Sequence, residues 1–162
     1  MEPTWSDLGL RAVTLDDLPA FFAQQLDAEA NRMAAFTAKD PADEDAFIAH
    51  WTTLLHDETV LARTVLVDGE VAGHVVSFEQ LGATEVTYWI ARPLWGRGVA
   101  SAALAAFLTE QRVRPLHARA AKDNAASLRV MQRCGFVVTG EDRGFANARR
   151  TEVEEFLLEL RA

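Results

Sequence analysis

Alternating apolar and polar positions in the first third of the chain predict one strand and two helices. Residues 8–13 form the strand, and apolar side chains at helical spacing follow over 14–26, with Thr14 in the position of an N-cap. A second helix is predicted to begin at about Asp43, where acidic residues precede an apolar stripe. The segment between these helices, 28–39, shows no such pattern, and we expect it to border the substrate.

The rest of the chain alternates between β-rich runs and helical segments. Asp68-Gly69 stands between the first two runs, which is typical of a hairpin turn. Residues 100–112 have helical periodicity, and residues 143–150 are expected to form a polar connection. The predicted strands are 59–67, 70–79, 85–91, 115–121, 136–142 and 152–160. This order predicts a single α/β domain over residues 1–162, with helices on both faces of a central sheet.

Composition and charge narrow the classes of function. The chain has 162 residues, of which 49% are hydrophobic, and no apolar run approaches the roughly eighteen residues that cross a bilayer. The net charge of −8 disfavours nucleic acid as a partner and favours a cationic one, such as an amine. The N-terminus lacks an apolar signal segment, and the single cysteine excludes an internal disulfide, so we expect a cytoplasmic protein without a membrane partner.

Histidine and cysteine side chains do not indicate a metal site or a covalent intermediate. Cys134 has no histidine close in sequence to activate it as a nucleophile. The histidines lack the spacing of metal ligands; they are His50, His56, His74 and His117. We therefore expect neither a metal cofactor nor an acyl-enzyme.

Residues 95–101, with the sequence Trp-Gly-Arg-Gly-Val-Ala-Ser, carry the clearest chemical signal. Their two glycines stand between a predicted strand and a predicted helix. Glycine allows backbone N–H groups to converge, and a helix N-terminus adds partial positive charge. The turn therefore suits an anion such as a phosphate, while a tight connection without a ligand would have the same sequence features.

A second element begins at Asn124, which stands where a helix N-cap is expected, and ends at Gly135. Leu128, Met131 and Cys134 recur between them at helical spacing and would face the core. By itself, this pattern also fits an ordinary capped helix followed by a strand.

In this order and spacing, the two elements together resemble the GNAT superfamily of N-acetyltransferases. The branch that acetylates the N-terminal amines of ribosomal proteins is the most similar. The likeness lies within 84–138, in the strand 85–90, in Trp95-Gly-x-Gly-x-Ala, in Asn124-x-x-Ser127 and in Cys134-Gly-Phe136. One departure is Trp95, because the superfamily often has Gln or Arg there. The resemblance implies a mixed, mostly antiparallel sheet and transfer of an acetyl group from acetyl-CoA to a primary amine, by direct attack in a ternary complex.

The same resemblance implies how acetyl-CoA would bind. Its pyrophosphate would contact the N–H groups of the glycine turn and the Arg97 side chain, with Arg92 and Arg129 as further cations nearby. Its pantetheine arm would pair with the end of the preceding strand and accept a hydrogen bond from Asn124. The cofactor-binding residues that this implies are Trp89, Ile90, Ala91, Arg92, Arg97, Gly98, Val99, Ala100, Ser101, Asn124 and Ser127.

The resemblance also implies two catalytic roles. Glu85 would be the general base that removes the proton of the amine, with Glu79 or a chain of water molecules as alternatives. Ser127 would protonate the leaving thiolate, because Met131 stands where many members have a tyrosine acid. Strand alternation turns Tyr88 away from Glu85, and we expect it to pack or to line the substrate site.

Other functions stay open at this level. The missing tyrosine also fits a non-catalytic acyl-CoA sensor or a partner-binding domain. A nucleotide-binding domain is disfavoured, because the turn lacks both the ending of a P-loop and a third glycine. The acceptor is a protein N-terminus or a small amine, facing 28–39 and 143–150. The closing strands often form dimer contacts in the superfamily, so a homodimer is one alternative.

Overall fold

The computed structural model describes residues 5–162 as a seven-stranded sheet with helices on both faces. The strands are β1 (Leu8–Ala12), β2 (Leu61–Val67), β3 (Glu70–Gln80), β4 (Ala83–Ile90), β5 (Leu116–Ala121), β6 (Val137–Ala146) and β7 (Thr151–Leu160). The helices are α1 (Leu18–Gln25), α2 (Ala28–Ala34), α3 (Glu44–His56), α4 (Val99–Glu110) and α5 (Ala125–Arg133). Two short 3-10 helices, Leu15–Asp17 and Arg92–Leu94, precede α1 and follow β4.

The sheet opens between β4 and β5. Its order is β1-β2-β3-β4-β5-β7-β6, and every neighbouring pair except β4 and β5 is antiparallel, which confirms the mixed, mostly antiparallel sheet. The parallel pair is held by only two matches, Thr84 with Leu116 and Glu85 with His117. In the described chain, residues 86–90 of β4 pair with β3 alone. The two strands therefore separate towards their C-terminal ends and leave a gap.

Two apolar cores hold the helices on the sheet. The larger one lies under α4 and α5, where Leu104 and Phe107 are fully buried. The smaller one lies under α1 and α3, where Phe21 and Trp51 pack against Val76 of β3. Full burial of each large side chain stabilises the fold by about 1.5–3 kcal/mol. Among residues 5–162, no helix is long and apolar enough to span a bilayer.

The structure departs from the predicted elements in two segments. Segment 28–39 contains α2, which begins where the Asp27 carboxylate accepts a 2.9 Å hydrogen bond from the Ala30 N–H. Seven residues are too few for a hydrophobic period to emerge. Segment 143–150 is only partly a connection, because β6 continues to Ala146. Most side chains of this edge strand are exposed, so its sequence shows no strand pattern. The other strands and helices are confirmed.

Candidate active site

A cavity of ≈ 530 Å³ lies where β4 leaves β5, enclosed by the start of α4, by α5 and by α2. Part of the segment that we expected to border the substrate is in its wall, since α2 contributes Glu29, Ala30, Met33 and Ala34. Most of the predicted cofactor-binding residues also line it: Trp89, Ile90, Gly98, Val99, Ala100, Ser101, Asn124 and Ser127. The fold therefore brings the two sequence elements to one site.

The glycine turn directs the start of α4 at this cavity. Gly96 and Gly98 have φ angles of 74° and 78°, in the left-handed region that favours glycine. Gly98 is the N-cap of α4, and its carbonyl accepts a 3.1 Å bond from the Ala102 N–H. The N–H groups of residues 99–101 precede that bond and have no acceptor within the helix, so they suit an anion.

Two tryptophan indoles hold the turn in position. The Trp95 indole N–H donates to the Ile90 carbonyl at 2.8 Å, and the Trp5 indole N–H donates to the Arg97 carbonyl at 2.8 Å. The first bond accounts for Trp95 in place of Gln or Arg, because it ties the turn to the end of β4. The sequence gives no indication of the Trp5 contact, since a partner 92 positions away leaves no local signal.

Arginine side chains enter the cavity from α5. Arg129 and Arg133 both line it, and four residues along a helix place them on the same face. Together they supply two positive charges beside the start of α4. Arg133 is absent from the predicted site residues, although its spacing from Arg129 could have identified it.

Three predicted cofactor residues lie outside the cavity wall: Ala91, Arg92 and Arg97. The Ala91 N–H donates to the Ala72 carbonyl at 2.9 Å and so belongs to the sheet. Arg92 pairs with Asp27 at 3.0 Å. These residues are next to the glycine turn in sequence, but side chains at neighbouring positions of a turn point in different directions, so proximity in sequence does not bring them to the cavity.

Asn124 connects α5 to α2. Its Oδ1 accepts a 3.2 Å bond from the Ser127 N–H, and its Nδ2 donates at 3.2 Å to the Met33 carbonyl. The predicted N-cap is therefore present. Because a side-chain amide has two N–H groups, this geometry is compatible with the expected hydrogen bond to a ligand.

Tyr88 and Ser127 meet in the wall of the cavity. Their hydroxyl oxygens are 2.6 Å apart. Burial raises the pKa of Tyr88 to about 12, so its phenol stays protonated near neutral pH. Met131, where many family members have a tyrosine, is only 3% exposed and belongs to the core. The sequence predicts that Tyr88 faces away from Glu85, but it gives no indication of this contact between β4 and α5.

Glu85 stands where β4 and β5 part, on the face of the sheet opposite Tyr88. It lines a smaller cavity of ≈ 170 Å³ rather than the larger one. Its carboxylate accepts a 2.8 Å bond from the Arg119 guanidinium, which also contacts Glu155 at 2.8 Å and Asp142 at 3.3 Å. One positive charge is shared by three carboxylates, which leaves this cluster negative.

Comparison with known protein families assigns the sequence to one of them. The family model of the acetyltransferase (GNAT) domain matches residues 7–137. No curated protein matches the chain at a significant level.

Several solved structures share the fold. An N-acetyltransferase from Staphylococcus aureus Mu50 is 23% identical, with a TM-score of 0.81 over 96% of this chain and 99% of that one. RimJ from Mycobacterium smegmatis, in complex with a CoA-disulfide, is 22% identical, with a TM-score of 0.75 over 100% and 90%. A ribosomal-protein-alanine N-acetyltransferase from Brucella melitensis is 19% identical, with a TM-score of 0.78 over 94% and 99%. Because the family match spans most of the sequence, the chain belongs to the GNAT acetyltransferase family and is an N-acetyltransferase.

Proposed function

We propose that the protein transfers the acetyl group of acetyl-CoA to a primary amine by direct attack in a ternary complex. The observation that carries this proposal is the cavity itself. Its wall joins the unpaired edge of β4 to the free N–H groups at the start of α4. An extended chain that ends in phosphates can satisfy both features at once.

The phosphates of the cofactor would bind at the start of α4. The N–H groups of residues 99–101 would donate to the pyrophosphate, and Arg129 and Arg133 would balance its charge. These contacts favour coenzyme A over a neutral acyl donor.

The pantetheine arm would lie along residues 86–90 of β4. Their backbone has a partner on only one side in the described chain, so the amide groups of the arm would extend the sheet.

The acceptor amine would approach from the other face of the sheet, where Glu85 lies. We retain Glu85 as the proposed general base, acting directly or through water, with Arg119 orienting its carboxylate. The surplus of carboxylates around Arg119 attracts a protonated amine before it loses its proton. Attack on the thioester then forms a tetrahedral intermediate, and Ser127 would protonate the departing thiolate.

We propose a protein N-terminal amine as the acceptor and retain a small amine as the alternative. The negative surface beside Glu85 supports a cationic acceptor, and a structural neighbour is named a ribosomal-protein-alanine N-acetyltransferase.

The hypothesis of a non-catalytic acyl-CoA sensor rests on the apolar residue at position 131. Two hydroxyls in the cavity wall, from Tyr88 and Ser127, favour turnover instead.

Calorimetric titration with coenzyme A tests the cofactor site. We expect Gly98→Trp to weaken binding at least a hundredfold, because a side chain there occupies the space that the phosphates need and strains a residue with φ of 78°. Gly82→Trp is the matched control, since Gly82 has φ of 80°, equally open surroundings and a position outside the cavity wall. Equal affinity in wild type and Gly98→Trp would contradict the site.

A panel of peptides with free N-termini and of small amines then tests the reaction. Acetylation of peptides but not of small amines would support the proposed acceptor, and the reverse would favour the alternative. Tight binding of acetyl-CoA without transfer to any amine would favour the sensor.

A further inference from the structure

The leaving thiolate needs a proton, and Ser127 is a weak source of one when it acts alone. An alkyl hydroxyl is about as weak an acid as water, whose pKa is about 15.7. A thiol has a pKa of about 8.5, so proton transfer from an isolated serine to a thiolate is strongly uphill. A phenol, with an ordinary pKa of about 10, is a much better final donor.

We propose that Tyr88 and Ser127 form a two-hydroxyl relay that protonates the thiolate of coenzyme A, an inference that rests on the proposed acetyl transfer. Tyr88 would donate its proton to Ser127 Oγ while Ser127 donates its own proton to the sulfur. The serine regains in the same step the proton that it gives away.

The contacts of both residues are compatible with this direction of transfer, since either hydroxyl can donate in the bond between them. The two oxygens are 2.6 Å apart, which is within the range of a hydrogen bond between hydroxyls. The N–H of Ser127 is held by the Asn124 cap, and this restrains the start of α5 against the cavity. An Oγ that accepts from Tyr88 has its own hydrogen free to point into the cavity, where the thioester would lie.

The burial of Tyr88 is consistent with a proton donor. Burial raises its pKa to about 12, so the phenol stays protonated at any pH at which the protein would work. It is still several units more acidic than an alkyl hydroxyl. Because Met131 is apolar and belongs to the core, it cannot act as this donor.

The relay balances protons and electrons. When the tetrahedral intermediate collapses, the C–S bond breaks and its electron pair goes to sulfur, which takes the Ser127 proton. The Tyr88 proton replaces it, and the resulting phenolate takes a proton from water once the thiol has left. The acceptor nitrogen arrives as an ammonium and leaves as an amide, so it releases two protons to water through the base, one before attack and one after it. The thiolate takes up one proton, so the reaction as a whole releases one proton.

Single-turnover acetylation in mixtures of H₂O and D₂O tests the relay. We expect Tyr88→Phe to slow the chemical step about ten- to a hundredfold and to leave the affinity for acetyl-CoA within twofold. Two protons in flight give the wild-type rate a curved dependence on deuterium fraction, and Tyr88→Phe should make it linear. Ser127→Ala combined with Tyr88→Phe should be no slower than Ser127→Ala alone. Thr84→Val is the matched control, because it removes a hydroxyl from the same face of β4.

A second substitution avoids any question of folding. Tyr88 is the only tyrosine of the chain, so growth on 3-fluorotyrosine changes this phenol alone to a more acidic one. The relay predicts a faster chemical step and a loss of rate at a lower alkaline pH than in wild type. An unchanged rate and pH profile, or additive effects of the two hydroxyl deletions, would overturn the relay. A wild-type protein that transfers no acetyl group would instead overturn the proposed function.

Discussion

Two arginine–carboxylate clusters lie on the same face of the sheet and have opposite balances of charge. In the first, Asp17 accepts hydrogen bonds from Arg11 at 2.7 and 2.8 Å and from the Thr64 hydroxyl at 2.7 Å, and it is only 3% exposed. In the second, the guanidinium of Arg119 is shared by three carboxylates, one of which is Glu85. The first cluster is electrically balanced, and the second keeps a negative excess.

This difference separates stability from function. A buried carboxylate with a full set of donors can gain little from a ligand, and its loss is costly to the fold. A partly exposed cluster with surplus negative charge adds less to stability and can bind a cation. We therefore expect substitutions in the first cluster to change unfolding, and substitutions in the second to change turnover.

The largest expected effect is that of Asp17→Asn on stability. The amide loses the charge that Arg11 pairs with and places N–H groups against its donors, so the free energy of unfolding should fall by about 3 kcal/mol. Urea unfolding measures this loss. Asp16→Asn, on the exposed neighbour, should change the midpoint little. An unaltered midpoint for Asp17→Asn would remove the contrast between the clusters.

Glu85→Gln should have the next largest effect, and on turnover alone. Gln cannot accept the proton of the amine, so kcat should fall about a hundredfold while the affinity for acetyl-CoA and the melting temperature stay close to wild type. Steady-state kinetics that follow the formation of an acetylated peptide measure this fall in kcat. A loss of rate in Glu79→Gln instead would identify the alternative base, and full activity of both variants would favour a water chain.

Acid should lower the free energy of unfolding, by a smaller amount than Asp17→Asn does. His74 packs between the rings of Phe21 and Trp51, and its burial lowers its pKa to about 3. The hydrogen bond from Arg11 leads the effects that lower the pKa of Asp17 to about 2. Both pKa values lie below those of the unfolded chain, so unfolding takes up protons. The free energy of unfolding therefore falls as the pH is lowered.

His74 lowers the free energy of unfolding as the pH falls below about 6.5, and Asp17 does so below about pH 4. Between pH 7 and pH 5 the free energy of unfolding should therefore fall by about 2 kcal/mol. Thermal unfolding across this range measures the slope. His74→Phe should flatten it, and an equal slope in this variant would assign the effect to another group.

The glycine turn and the capped helix could be predicted because their signals are local. Gly96, Gly98 and Asn124 act through backbone geometry within a few residues of themselves, and the structure confirms the turn and the N-cap. The helical spacing of Leu128 and Met131 likewise predicts the core-facing side of α5, which is confirmed. Arg133 is not predicted, although its four-residue spacing from Arg129 on α5 is a local signal for the same helix face.

The other half of the site depends on contacts between distant strands. The partners of Arg119 lie up to 36 positions away, and Tyr88 meets Ser127 across 39. Strand alternation predicts which face a side chain occupies, but neither the register of β4 against β5 nor the helix that crosses the gap. This is why Tyr88 is predicted to pack or to line the substrate site, while its hydrogen bond with Ser127 is found only in the structure.

The sequence by itself determined the order of the elements apart from α2, the glycine turn before α4 and the capped helix α5, because each follows from propensities and spacings within a short segment. Only the tertiary structure decided where β4 and β5 part, which arginines face the cavity and which hydroxyls meet there. Those outcomes depend on how separate elements pack, and packing is set by the sum of many weak, non-local contacts.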